Sequence, residues 1–239
     1  MHLLPGLVTL QLTRSLPPLP LPHPARISAV VFHFFEIAAI SLGALGGALA
    51  LRRERKSPYD VIGLLGLGLI SGVGGGVVRD VLLGDGPPLA LQHPSYLAYA
   101  LCGAAVAILF GHSVGPRMLA TMNVVDALAL GLFTVAGSTR AMNYGLGFLP
   151  CLVLGVTTAV GGGALRDLFS GRAPATFKEG ELYALVSTTA AAIFLSVQQL
   201  GVPVSRAAVI GTVVGFGLRL LAIRYGWRTH AVAWLRTSK

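Results

Sequence analysis

The sequence predicts an all-α membrane protein, with seven transmembrane helices as two inverted three-helix repeats plus a seventh helix. Three observations lead there. Of the 239 residues 54% are hydrophobic and only 11% charged, with a mean hydropathy of +0.75, whereas soluble domains are about 25% charged. Seven apolar runs approach the roughly 20 residues that one membrane crossing takes. Finally, one segment recurs at a constant offset of 87 residues. Each period holds three runs, an odd number, so the second copy enters the membrane from the opposite face.

The runs cover residues 29–51, 59–83, 95–112, 122–142, 146–169, 182–200 and 204–223. Lipid offers backbone groups no water to bond, so runs of this length are helices wherever they touch lipid. The alternation of a strand barrel is absent. The chain divides into a proline-rich N-terminal tail (1–28), a first three-helix repeat (29–112), a second, inverted one (121–200), a seventh helix (204–225) and a basic C-terminal tail (226–239). The tail has no basic n-region and does not read as a signal peptide.

The formal charge of +9 is not read as a nucleic-acid surface, because the excess lies in loops between apolar runs, as the positive-inside rule describes. Eleven Lys and Arg fall on one side: Arg52, Arg53, Arg55, Lys56, Arg117, Arg172, Lys178, Arg224, Arg228, Arg236 and Lys239. Four fall on the other: Arg14, Arg26, Arg140 and Arg206. The expectation is an outside N-terminus and a cytoplasmic C-terminus, in a bacterial inner membrane. Cys102 and Cys151 lie in apolar stretches without metal-site spacing and read as small core residues.

The recurring segment is Val73-Gly74-Gly75-Gly76-Val77-Val78-Arg79-Asp80, which returns as Val160-Gly161-Gly162-Gly163-Ala164-Leu165-Arg166-Asp167. At the same offset Gly84 meets Gly171, Pro87 meets Pro174 and Tyr96 meets Tyr183. Each glycine costs a helix about 1 kcal/mol relative to alanine, so the triplets predict a kink or an unwound turn in the second and fifth helices. Carbonyls freed there suit a cation. The competing reading is close helix packing, as for Gly43, Gly46, Gly47, Gly63, Gly66 and Gly68. Inverted repeats place their site at the repeat interface near the midplane.

Arg79, Asp80, Arg166 and Asp167 are charges inside helices, each penalised by about 2.5–3.5 kcal/mol on insertion scales, so they face the interior or an aqueous path. Neighbouring residues on a helix diverge, so Arg79 and Asp80 are expected to find partners on other helices rather than each other. The arginines would gate cations or lock a broken helix through ion pairs. Glu36 and Asp126, matched early in the first helix of each repeat, would attract cations or satisfy Arg79 and Arg166. Ser71, Thr157 and Thr158 would line a hydrated path or bond back to their own helix. His33, His93, His112 and His230 read as isolated residues. Tyr59, Tyr96, Tyr99, Tyr183 and Trp227 read as an aromatic belt, and Arg219, with Arg224 and Arg228, as snorkelling to headgroups or binding anionic lipid.

The seven-helix inverted repeat with Gly74-Gly75-Gly76-x-x-Arg79-Asp80 and Gly161-Gly162-Gly163-x-x-Arg166-Asp167 resembles the prokaryotic members of the trimeric intracellular cation (TRIC) channel family, over residues 29–225. The resemblance implies a homotrimer with a hydrophilic pore in each protomer, selective for monovalent cations and chiefly potassium, with kinks at the two triplets and no cofactor. Neither triplet copy holds a lysine, so the phosphoinositide binding associated with animal members is not carried over. Some bacterial proteins resembling the family have been linked to glycine uptake, which leaves open a carrier of small solutes working by alternating access. An enzyme is not expected, since no His-Glu-x-x-His, nucleophile elbow or phosphate loop is present.

Overall fold

The computed structural model describes residues 29–52, 59–84, 86–110, 116–177 and 180–229. Seven long helices carry the fold: α1 (Ala29–Arg52), α2 (Val61–Leu83), α4 (Pro94–Phe110), α5 (Pro116–Asn143), α6 (Phe148–Phe169), α7 (Tyr183–Gln199) and α8 (Val204–Tyr225). A four-residue helix, α3 (Leu89–Gln92), precedes α4. The proline-rich start, the basic loop from Arg53 to Lys56, His112, Lys178 and the residues from His230 onward lie outside the described residues.

The protein is an integral membrane protein by length and composition. Five helices have long apolar stretches: Phe32–Leu51, Val61–Leu83, Ala120–Asn143, Phe148–Phe169 and Val204–Tyr225, and Pro94–Phe110 is a shorter apolar one. The 17 residues of α4 and of α7 make each about 26 Å long at 1.5 Å per residue. Large apolar side chains point outward, among them Ile62, Phe110 and Leu149. In water such a surface would drive association, whereas lipid accepts it.

Local chemistry sets the helix ends. The Asp60 carboxylate accepts from the Gly63 amide at 2.7 Å and caps α2, so the helix starts two residues later than the apolar run. Gly84 stops α2 with a positive φ of 67°, and Gly171 follows α6 with a φ of 71°. These glycines stand 87 residues apart, at turns that L side chains resist. The helix α3 was not anticipated from sequence. It is held by the Leu89 amide donating to Asp80 Oδ2 at 2.8 Å. After α6 the Ala175 amide donates to Asp167 Oδ2 at 3.0 Å, opening a 3-10 turn at Ala175–Phe177.

At the centre α2 packs on α6 and α1 on α5; α4 closes against α1 and α2, while α7 and α8 close against α5 and each other. One core cluster joins Ile40, Ala44, Tyr96 and Phe133. Another joins Val135, Cys151, Phe194 and Ala207. Cys102 is exposed on α4, unlike buried Cys151. A short antiparallel pairing of Gly180–Glu181 (β1) with Arg228–Thr229 (β2) ties the segment before α7 to the end of α8.

Candidate functional site

The two glycine triplets meet where α2 crosses α6. Both helices run through Gly74–Gly76 and Gly161–Gly163 as continuous α-helix, with none of the six at positive φ. The expected unwound turn is therefore absent, and with it the freed carbonyls. The glycines instead remove side chains at the crossing. A Cβ on Gly75 would overlap the carbonyl oxygen of Thr158, and one on Gly162 would overlap that of Ser71. Close approach of two backbones, as in small-residue seams of membrane helices, outweighs the propensity cost. Gly76 and Gly163 have room, the nearest atom to either added Cβ being an arginine Nη2 at 3.7 Å, from Arg79 and Arg166 respectively.

On one side of the crossing lies a closed ion cluster. Arg79 Nη1 donates to Glu36 Oε1 at 2.6 Å and Nε donates to Asp80 Oδ1 at 2.8 Å, with all three side chains buried. The sequence expectation that Arg79 and Asp80 would not pair is corrected: the long arginine side chain curls back and bridges the 100° between neighbours. Its second partner is on another helix, as expected. The Tyr96 hydroxyl faces both this Glu36 carboxylate and His33 Nδ1. The His33 and His93 rings stand 5.9 Å apart between centroids, edge to face. Tyr96 is thus an interior residue, not part of a belt, and the two histidines form a cluster that spacing could not reveal. Only a pocket of about 20 Å³ remains here, with Gly76, Arg79 and Tyr96 in its wall.

On the other side the equivalent residues surround open space. A cavity of about 200 Å³ is lined by Ser71, Asp126, Gly163, Arg166, Asp167, Tyr183 and Arg219, together with small residues of α1. Arg166 donates to Asp167 Oδ1 from Nη2 at 2.7 Å and Nε at 2.9 Å, a second pairing of chain neighbours. Asp126 accepts from the Tyr183 hydroxyl and has Arg219 Nη2 at 3.7 Å. The Arg219 guanidinium lies 3.9 Å from the centre of the Tyr183 ring, a cation–π geometry. Arg219 is 4% exposed, so it does not snorkel to headgroups. Its place in the wall was missed, because only the return of α8 onto α5 and α7 brings it to Asp126.

The hydroxyls divide as the alternatives did. Thr158 Oγ1 bonds back to the Leu154 carbonyl at 2.6 Å, Ser71 enters the wall of the large cavity, and Thr157 lies in neither wall. Tyr99 and Trp227 are exposed near helix ends.

Comparison with known proteins follows this geometry closely. A family model described as "Glycine transporter" matches residues 33–112 and 123–199, the two triplet-bearing halves. The solved structure of the TRIC trimeric intracellular cation channel orthologue from Rhodobacter sphaeroides superposes with a TM-score of 0.75 at 30% identity, covering 82% of this chain and 99% of that one. The chain belongs to the prokaryotic TRIC family. Among relatives of this TRIC protein, the UPF0126 inner membrane protein YadS of Escherichia coli K12 is 30% identical over 199 residues, 82% of this chain and 93% of YadS. A UPF0126 membrane protein of Deinococcus radiodurans is 36% identical over 160 residues, 66% of this chain and 73% of the relative.

Proposed function

We propose that the protein is a monovalent cation channel, chiefly for potassium, with a hydrophilic path inside each protomer between two inverted halves. The observation that carries this reading is the cavity of about 200 Å³, walled by the carboxylates of Asp126 and Asp167 and ending at the α2–α6 crossing. Carboxylates in a pore wall stabilise a partly hydrated cation, while Arg166 and Arg219 set its barrier. Similarity to structures titled as TRIC cation channels supports the same conclusion and speaks against an enzyme.

The halves are residues 29–112 and 121–200, with residues 204–225 as the seventh helix and α4 and α7 completing the crossings. The reciprocal contacts of Gly75 with Thr158 and Gly162 with Ser71 are what two halves related by a twofold axis produce, and they support the inverted repeat. The N-terminus is assigned to the outside and the C-terminus to the cytoplasm, on the excess of basic residues along one side. The description of YadS supports a bacterial inner membrane, and the trimeric relative supports a homotrimer. No cofactor enters the path.

Reconstitution in a planar bilayer, with glycine uptake into liposomes from the same preparation, tests this. Unitary potassium currents, altered by Arg166→Ala, are expected. Electrical silence together with saturable uptake capable of counterflow would overturn the channel and put a small-solute carrier in its place.

A further inference from the structure

The large cavity and the small pocket are walled by different residues with one exception. Phe133 of α5 stands in both walls. Its side chain is nearly inaccessible and belongs to the cluster with Ile40, Ala44 and Ala129. The ring rests on Gly43 of α1: a Cβ there would come within 2.7 Å of the Phe133 ring Cε2 and 3.0 Å of Cζ. The notch in α1 is thus shaped for this ring.

Gly43 and Phe133 are 90 residues apart, the separation that also relates Glu36 to Asp126 and Gly47 to Gly137. Gly47 lies on the Ser71 side chain and Gly137 on that of Thr158, so the register holds in space. At this level, therefore, one half contributes a phenyl ring and the other an empty α-carbon. The two carboxylate-bearing chambers, Glu36 with Asp80 on one side and Asp126 with Asp167 on the other, face each other across an apolar ring. Apolar constrictions close pores by dewetting.

We propose that Phe133, seated on Gly43, is the seal between the two chambers, and that ions pass only when this ring leaves the notch. The assignment rests on the channel reading and adds to it the position at which the path is shut. The ring is held by apolar packing alone, so its departure breaks no ion pair, and the Arg79 cluster stays intact while the path opens.

The test uses the full-length protein and Phe133→Ala in planar bilayers, with elution profile and thermal unfolding in detergent as checks of fold. Phe133→Ala is expected to raise potassium conductance or open fraction several-fold, with Phe133→Leu between it and the parent. Where Phe133→Ala does not hold its fold, Phe133→Leu carries the comparison and still exceeds the parent. A folded Phe133→Ala with parental currents overturns the seal and leaves the channel standing. Silence from parent and both variants overturns the channel reading, and the seal with it.

Discussion

Gly75 lies against the carbonyl of Thr158 with no room for a Cβ, and 87 residues on Gly162 lies in the same way against Ser71. Alanine at either position gains about 1 kcal/mol in helix propensity and loses more in forcing two backbones apart. Both Gly75→Ala and Gly162→Ala are expected to lower the thermal unfolding temperature in detergent. Gly66→Ala, with nothing within 4 Å of the added methyl, is expected to raise it. Equal behaviour of Gly75→Ala and Gly66→Ala would show that the crossing tolerates separation.

Glu36→Ala leaves the buried Arg79 guanidinium with Asp80 alone. Removing one partner from a buried ion pair costs about 3–5 kcal/mol, while replacing the whole pair with apolar groups costs far less. Arg79→Met leaves the Glu36 and Asp80 carboxylates buried without their cation, so adding Glu36→Ala to Arg79→Met is expected to cost less than Glu36→Ala costs in the parent. Denaturation of the four proteins of this cycle measures it, and strict additivity would mean that the ion pair carries no coupling.

Arg219 holds a positive charge 3.7 Å from the Asp126 carboxylate in the wall of the large cavity. Arg219→Ala is expected to increase cation current by unmasking that carboxylate, and Asp126→Asn to decrease it. Bilayer currents at low ionic strength, where screening is least, are the measurement. Changes of the same sign in both variants would remove the electrostatic explanation.

Asp167 accepts from the Ala175 amide and from Arg166, as Asp80 does from Leu89 and Arg79. Asp167→Ala frees the turn after α6, at a cost of about 1–3 kcal/mol for the unsatisfied groups. Faster hydrogen exchange is expected at the Ala175 amide, with α8 unaffected. Unchanged protection at Ala175 would mean that the turn is held by other contacts.

Much of the architecture was legible because membrane burial leaves little latitude. Apolar runs announced the long helices, and the 87-residue self-match announced the paired motifs, down to the positive-φ glycines Gly84 and Gly171. The meaning of the triplets was not legible. Propensity counts only the local cost of glycine, whereas the gain is a close approach to another helix, and the two enter a sequence as the same letters. The partners of the charges were half legible: Glu36 as a carboxylate satisfying an interior arginine was one of the two readings its position allowed. Arg79 with Asp80 required knowing how the arginine side chain curls.

The sequence by itself determined the all-helical membrane class and most of the residues that carry charge into the interior, because composition and periodicity record transfer between water and lipid directly. Only the tertiary structure decided which side of the α2–α6 crossing is filled and which holds a cavity. Phe133 and Gly43 occupy corresponding positions in their helices, yet a phenyl ring can fill a notch only after α1 and α5 pack together. The packing of α8 on α5 and α7 likewise brings Arg219 to Asp126 and Tyr183, which are distant from it in sequence.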